Sequence, residues 1–142
     1  MSFTEVFAHF VWSTKYRQPV LTKPNRDILF EHIKQNAKKN KIHIDSIGGY
    51  IDHMHTLISL SRELSLSKTV QLIKGESSHW ANTTGLMKNK FEWQDEYYAV
   101  SVSPDRLQRV RDYISNQESH HKKKSFDQEI QQLLARGMRV GQ

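Results

Sequence analysis

Residues 47–60 read IGGYIDHMHTLISL, from Ile47 to Leu60, and place two imidazoles two positions apart among β-forming residues. Successive strand side chains alternate faces, so His53 and His55 share a face with α-carbons roughly 6.5 Å apart, a span that two ligands of one metal ion can bridge. Met54, Ile58 and Leu60 take the opposite, mostly apolar face, which predicts a core on that side and a site on the histidine side. Two histidines in a strand are also ordinary sheet residues, so a site requires a third ligand and a reacting group from elsewhere in the chain.

The totals bound the search. A chain of 142 residues, 37% apolar with three Trp, six Phe and five Tyr, can build one ordinary core and predicts one domain over residues 1–142. Cysteine is absent, which removes disulfides and thiolate sites, leaves nitrogen and oxygen ligands, and favours Mg²⁺ or Mn²⁺ over structural zinc. No stretch approaches the roughly 20 apolar residues of a membrane helix, and the start MSFTEVFAHFVWSTKYR alternates instead of showing a signal-like apolar run. A cytoplasmic protein without a membrane partner is expected. The net charge of +6 and isoelectric point near 9.6 suit a polyanionic partner, although charge alone also fits a merely soluble domain.

Phe3 to Trp12 alternates with β-branched and aromatic residues throughout, predicting a strand apolar on both faces, in which His9 reads as a satisfied sheet histidine. Lys15, Tyr16 and Arg17 follow in a loop that could contact phosphate and stack on a base. From Asn25 to Asn40 the spacing of Ile28, Leu29, Ile33 and Ala37 is helical, with lysines at the end where cations suit the helix dipole. Ile42 to Ile47 predicts a second strand, and Gly48-Gly49 a bend or bulge before the histidine strand. Ser65 starts a second helix whose face carries Val70, Ile73, Ser77 and Trp80, ending at the breaker 82–85. Glycine in mid-helix is costly, so Gly75, next to the candidate DNA contact Lys74, points to close packing on the sheet or to DNA nearby. Phe91 to Gln94 reads as an aromatic plug, 97–103 as a strand, and Ser103-Pro104-Asp105 as the start of a helix running to Glu118. The order strand, helix, strand, strand, helix, strand predicts an α+β fold of the ferredoxin-like or RRM-like βαββαβ kind, with an antiparallel sheet and helices on one face. An added helix over 104–118 follows the core of residues 1–103.

In that added helix Leu107, Val110 and Ile114 form the buried stripe, while Tyr113 and Gln117, four apart, share a flank with Arg106. Together with the imidazoles they would supply three metal ligands, a nucleophile and a phosphate clamp. A phenol attacks phosphorus when it is positioned and when a metal polarises the phosphate, and the phosphotyrosine so formed conserves the ester for rejoining. No nucleotide cofactor is then needed, and the chain has no phosphate-binding glycine loop. After Gln117 come His120 and His121, which could approach the metal, and the basic run Lys122-Lys123-Lys124, which could track a phosphate backbone. Ser125 to Gln128 reads as a capping box opening a tail helix over 125–136.

With these residues in view the sequence resembles the single-tyrosine HUH transposases of the insertion-sequence 200/605 group. His53-Met54-His55 matches the His-hydrophobic-His motif and Tyr113-Ile114-Ser115-Asn116-Gln117 the tyrosine helix. TKYRQPVL, GGYIDHMH, LSLSKTVQLIKGESS, WQDEYYAVSVSP and YISNQESHHKKKSF extend the likeness over nearly the whole chain. Thr56 stands where the family often has an aliphatic residue. The resemblance implies His53, His55 and Gln117 as metal ligands and Tyr113 as the nucleophile. It further implies cleavage and rejoining of single-stranded DNA at hairpin-marked element ends through a 5′-phosphotyrosine, by a homodimer with shared active sites. Two other readings fit the same motifs: a hairpin-binding protein without chemistry, and an HUH replication or relaxation initiator. A zinc hydrolase fits poorly, since no acidic base accompanies the histidines in zincin-like spacing.

Overall fold

The computed structural model describes residues 2–121 and 125–140, with backbone alone for 120–121 and 136–140. The elements are β1 (Phe7–Ser13), a 3₁₀ turn at Lys15–Arg17, α1 (Lys23–Lys39), β2 (His43–Gly49), β3 (His53–Ser59), α2 (Leu66–Thr84), β4 (Tyr98–Val102), a 3₁₀ turn at Pro104–Arg106, α3 (Leu107–Ser115), α4 (Gln117–His121) and α5 (Phe126–Val140). The four strands pair antiparallel in the order β2-β3-β1-β4. That order gives the α+β, ferredoxin-like arrangement expected from the sequence.

Alternation in the two central strands divides the sheet into two working faces. Ala8, Phe10, Trp12, Met54 and Ile58 point into the larger core with Leu29, Phe30 and Ile33 of α1 and Val70 and Ile73 of α2. Leu57 and Val102 turn the other way and pack with Leu107 and Ile114 of α3. The first pair of helices thus covers one face and the tyrosine-bearing helix the other. Phe91 and Trp93 close the larger core as an edge-on aromatic pair, with Trp93 Nε1 donating to Ser77 Oγ at 2.9 Å. Among the described residues no helix is long and apolar enough to cross a membrane.

Local chemistry sets the ends of these elements. Ser65 Oγ accepts from the Lys68 backbone N–H at 3.0 Å, and Gly85 closes α2 in the left-handed conformation, φ 69°, which glycine adopts without a Cβ clash. In α5, Ser125 Oγ accepts from Gln128 N at 3.2 Å while Gln128 Oε1 accepts from Ser125 N at 3.0 Å, the reciprocal capping box read from the sequence.

Four local expectations are corrected. β1 starts at Phe7, not Phe3, because the leading residues find no core and Phe3 is 86% exposed. Gly48 and Gly49 lie inside β2, paired with His55 and Met54, and the register shift falls between Ile44 and Ser46. The helix expected to reach Glu118 stops at Ser115, and Asn116 (φ −103°, ψ 25°) separates it from α4. Gly75 is not a point of close packing: a Cβ built there meets nothing within 4 Å. Gly48 and Gly49 fit that description: a Cβ on Gly48 would lie 2.4 Å from the Ile114 carbonyl oxygen, and one on Gly49 2.3 Å from that of His53. The absence of a side chain at Gly48 lets α3 settle directly on β2.

Candidate active site

β3 delivers His53 and His55 to the α3 side of the sheet, where both are fully buried. Each ring is tethered at Nδ1. His53 Nδ1 lies 2.8 Å from Asp52 Oδ1, and His55 Nδ1 lies 2.8 Å from His9 Nε2, which β1 brings alongside. An ionised carboxylate only accepts, so the proton of His53 Nδ1 points to Asp52. Burial first, with the neighbouring His55 adding to it and Glu129 offsetting part, pushes His9 down to about 3. A neutral His9 can accept from His55 Nδ1–H through its Nε2. Both assignments turn the two Nε2 lone pairs toward the same point.

Two oxygen donors meet them there. Gln117 Oε1 lies 3.2 Å from His53 Nε2, and its amide nitrogen donates to the Tyr113 carbonyl oxygen at 3.2 Å, which fixes the oxygen end inward. Glu129 Oε1 lies 3.0 Å from His55 Nε2 and 3.2 Å from His53 Nε2. His53, His55 and Glu129 offer ligand atoms within 4.8 Å of one another, all three buried. Imidazole nitrogens, an amide oxygen and a carboxylate converging in a buried space repel one another unless a proton or a cation lies between them. The set fits a divalent cation that accepts mixed nitrogen and oxygen ligands. Without one, a proton is drawn to the same place: burial pulls His53 down, but hydrogen bonds to Asp52 and Glu129 outweigh it and raise its pKa above the usual histidine value.

Tyr113 projects from α3 into this cluster. Its ring meets His55 edge-on at 5.5 Å between centroids, and its hydroxyl donates to Glu129 Oε2. The tyrosine thus adjoins the histidines of its own chain. Ile114 beneath it is 1% exposed, and Arg111 holds Asp45 of β2 with Nε and Nη2 each 2.8 Å from a carboxylate oxygen. Packing and the two-pronged ion pair together fix the helix against the sheet.

α5 lies across this assembly. Phe126 tilts over His53 with centroids 4.5 Å apart, Tyr98 donates its hydroxyl to the Leu133 carbonyl oxygen at 3.0 Å, and Asp127 pairs with Arg17. Glu129 is the residue that sequence reasoning missed. Its signal was the apolar stripe Phe126, Glu129, Ile130, Leu133, at spacing i, i+3, i+4, i+7, which carries one carboxylate where a hydrophobe belongs. Asp52 was also missed, and its cue was only its place next to His53.

The other predicted contacts are scattered. Lys15 reaches Glu92 at 3.5 Å, Tyr16 is 80% exposed, and Arg17 is engaged by α5. Lys74 is turned inward, its ammonium donating to the carbonyl oxygens of Gln94, Asp95 and Glu96 at 2.6, 3.1 and 3.0 Å, and burial lowers its pKa. In that position it is half-buried and braces the segment before β4. Arg106 is exposed in the turn before α3 and is not brought to the histidines. Lys122, Lys123 and Lys124 lie outside the described residues, as do the side chains of His120 and His121.

Residues 2–117 match the sequence model of a family described as "Transposase IS200 like". The chain belongs to the IS200-like transposase family. Its relatives include the ISDra2 transposase TnpA of Deinococcus radiodurans, 26% identical over 114 residues that cover 77% of this chain and 81% of that protein. The transposase for insertion sequence element IS200 of Salmonella typhimurium is 23% identical, over 77% of this chain and 74% of that protein. Two solved structures share the fold. A Deinococcus radiodurans R1 protein described as a transposase superposes with a TM-score of 0.66 at 23% identity, over 82% of this chain and 93% of that one. A REP-associated tyrosine transposase bound to a REP hairpin gives 0.63 at 18% identity, over 85% and 72%. The family match spans His53, His55, Tyr113 and Gln117 of this transposase and stops short of Glu129.

Proposed function

We propose that this IS200-like transposase cleaves and rejoins single-stranded DNA at hairpin-marked ends of an insertion sequence through a 5′-phosphotyrosine on Tyr113. The observation that carries the reading is the convergence of the Tyr113 hydroxyl with His53, His55, Gln117 and Glu129 in one buried cluster. A divalent cation held by His53, His55, Gln117 and Glu129, Mg²⁺ or Mn²⁺ by the hardness of two of its four donors, would supply Lewis-acid polarisation of the scissile phosphodiester.

The chain's own residues do the rest. Tyr113 Oη forms the bond to phosphorus as the bond from phosphorus to the 3′ oxygen breaks. The phenolic proton passes to Glu129, whose Oε2 already accepts its hydrogen bond, and the departing 3′ oxygen takes a proton from water. Phenol has an ordinary pKa near 10 and is a weak nucleophile unaided, so a carboxylate at hydrogen-bond distance is the natural proton acceptor. In the second step a 3′-hydroxyl attacks the phosphotyrosine, the new phosphodiester forms, and Tyr113 leaves with the proton returned. Single strands expose the backbone whose phosphate must reach Tyr113, and hairpins mark its position. The hairpin bound to the REP-associated relative supports a hairpin partner here, as the family resemblance supports a homodimer.

The test is incubation of the full-length protein with end-labelled single and double strands carrying candidate hairpins, with Mg²⁺, with Mn²⁺ and after chelation. The expected product is a denaturant-resistant adduct on the 5′ end of the cut strand that needs the metal and is lost in Tyr113→Phe. Cleavage that persists in Tyr113→Phe removes the nucleophile, and tight hairpin binding without product in either metal favours a binding protein. Mixing Tyr113→Phe with His53→Ala separates cis from trans assembly. The arrangement within one chain supports cis, in which the mixture stays inactive, whereas recovered activity would show shared sites.

A further inference from the structure

A groove of about 330 Å³ opens beside the histidine cluster, lined by Tyr16, Arg17, Tyr50, Asp52 and Phe126 among others. Its inner end adjoins the proposed metal ligands, because Asp52 holds His53 Nδ1 and the Phe126 ring tilts over the His53 imidazole. Three aromatic rings therefore border a polar cleft next to the place where a scissile phosphate would lie.

The backbone at the mouth of the groove is the unusual part. Tyr16 (φ 56°, ψ 19°) and Arg17 (φ 51°) both occupy the left-handed region, which is disfavoured for residues with a Cβ. The surroundings determine this conformation closely. Arg17 N donates to the Thr14 carbonyl oxygen at 2.9 Å, Lys15 N to that of Glu92 at 3.0 Å, and Thr14 N to that of Asp52 at 2.9 Å, while Thr14 Oγ1 donates to the Gln18 carbonyl oxygen at 2.8 Å. The result is a tyrosine held 80% exposed on a turn that Thr14 ties to Asp52. A sequence that needed only a turn here would place glycine or asparagine at such positions. Strain kept at the rim of a cleft, presenting an aromatic face, is the pattern expected of a ligand clamp.

We infer that this groove is a nucleobase-stacking subsite, in which Tyr16, with Tyr50 and Phe126, receives the unpaired base of a nucleotide flanking the scissile phosphate. The inference rests on the proposed strand cleavage for its location. The chemistry selects a base over other small ligands: π-faces on the walls stack on any base, the net positive charge of the chain suits the attached phosphates, and the polar floor of Asp52 and Ser125 disfavours a purely apolar occupant. A base enters such a cleft only when it is free of its partner strand, so the subsite selects single strands. Part of the wall comes from α5, so docking of that helix completes both the metal cluster and the base cleft.

The experiment walks a single 2-aminopurine along an otherwise ordinary single strand bearing a candidate hairpin. Emission is read on mixing with the full-length protein and with its Tyr113→Phe variant, and adduct formation is measured in parallel for the wild type. Stacking predicts quenching at one or two adjacent positions, retained in Tyr16→Phe and lost in Tyr16→Ala with affinity weakened about tenfold. Tyr16→Gly separates binding from folding: glycine relieves the left-handed strain, so its melting temperature holds or rises while quenching disappears. Adduct without quenching at any position, or quenching that survives Tyr16→Ala and Tyr16→Gly, overturns the inference and leaves the cleavage reading standing. Quenching without adduct has the opposite meaning, and the absence of both sinks the two together.

Discussion

Glu129 accepts the hydroxyl hydrogen bond of Tyr113, 16 residues before it in the chain, through the carboxylate whose other oxygen faces His55 at 3.0 Å. One side chain thus joins the proposed nucleophile to the proposed metal ligands, from a helix that the family match does not reach. If Glu129 is a ligand, Glu129→Gln keeps the shape, removes the charge and weakens Mn²⁺ binding by at least about tenfold, as loss of an anionic oxygen donor should. Calorimetric titration of the full-length protein checks it. Unchanged affinity would leave the carboxylate only its contact with Tyr113.

His9 acts at one remove. Buried and neutral, it accepts a hydrogen bond from His55 Nδ1–H and so turns that ring's Nε2 toward the cluster. His9→Phe fills similar space on β1 and keeps an aromatic partner for His55, but offers no acceptor. The expected outcome is an unchanged circular dichroism spectrum with metal affinity lower by about 10–100-fold, the usual effect of removing the outer partner of a ligating histidine. A variant that binds metal like the wild type would assign His9 to packing alone.

Two glycines should respond with opposite signs. At Gly48 an added Cβ would lie 2.4 Å from the Ile114 carbonyl oxygen and 3.0 Å from its Cγ2, and backbone cannot rotate out of the way. Gly48→Ala should lift α3 from the sheet and cost about 1–3 kcal/mol or more, in the range of overpacked cores. At Gly75 nothing lies within 4 Å, so Gly75→Ala should stabilise the helix by about 1 kcal/mol through propensity alone. Urea unfolding of the two variants reads both signs.

These glycines also show what was legible in the sequence. The two-residue spacing of His53 and His55 and the four-residue spacing of Tyr113 and Gln117 report which side chains share a face, and the structure brings all four together despite the break at Asn116. The topology was readable because the elements follow in the order of a split βαβ unit, with a short link between β2 and β3 and clean alternation in the central strands. Which glycine lay under another element was not, since that depends on where α3 lands across the sheet. Glu129 was hidden for the same reason: its partners lie 74 and 16 residues away, and local periodicity reports a buried face without saying what it is buried against. Tyr16 was legible as an aromatic among basic residues, whereas its left-handed backbone follows from hydrogen bonds to Asp52 and Glu92 that no local pattern encodes.

The last prediction concerns the hold of the sheet on the tyrosine helix. Hydrogen bonding to Arg111 holds the Asp45 carboxyl below the usual carboxylate value, against a smaller opposing effect of burial and with help from Ser46. The native state therefore binds a proton at Asp45 less readily than the unfolded chain. The associated stability is fully present above the unfolded pKa and is lost as pH falls through the depressed native value. Asp45→Asn removes the charge at every pH, so its melting temperature should lie below that of the wild type near neutrality. The gap should hold down to about pH 5 and close on further acidification. Arg111→Lys should reproduce part of the neutral-pH loss, because an ammonium cannot engage both carboxylate oxygens in the fork geometry of the guanidinium. Thermal melts of the three proteins across this range decide the matter: a gap between wild type and Asp45→Asn that stays constant with acidification would mean that the helix is held by Ile114 and its apolar neighbours, with the ion pair contributing nothing.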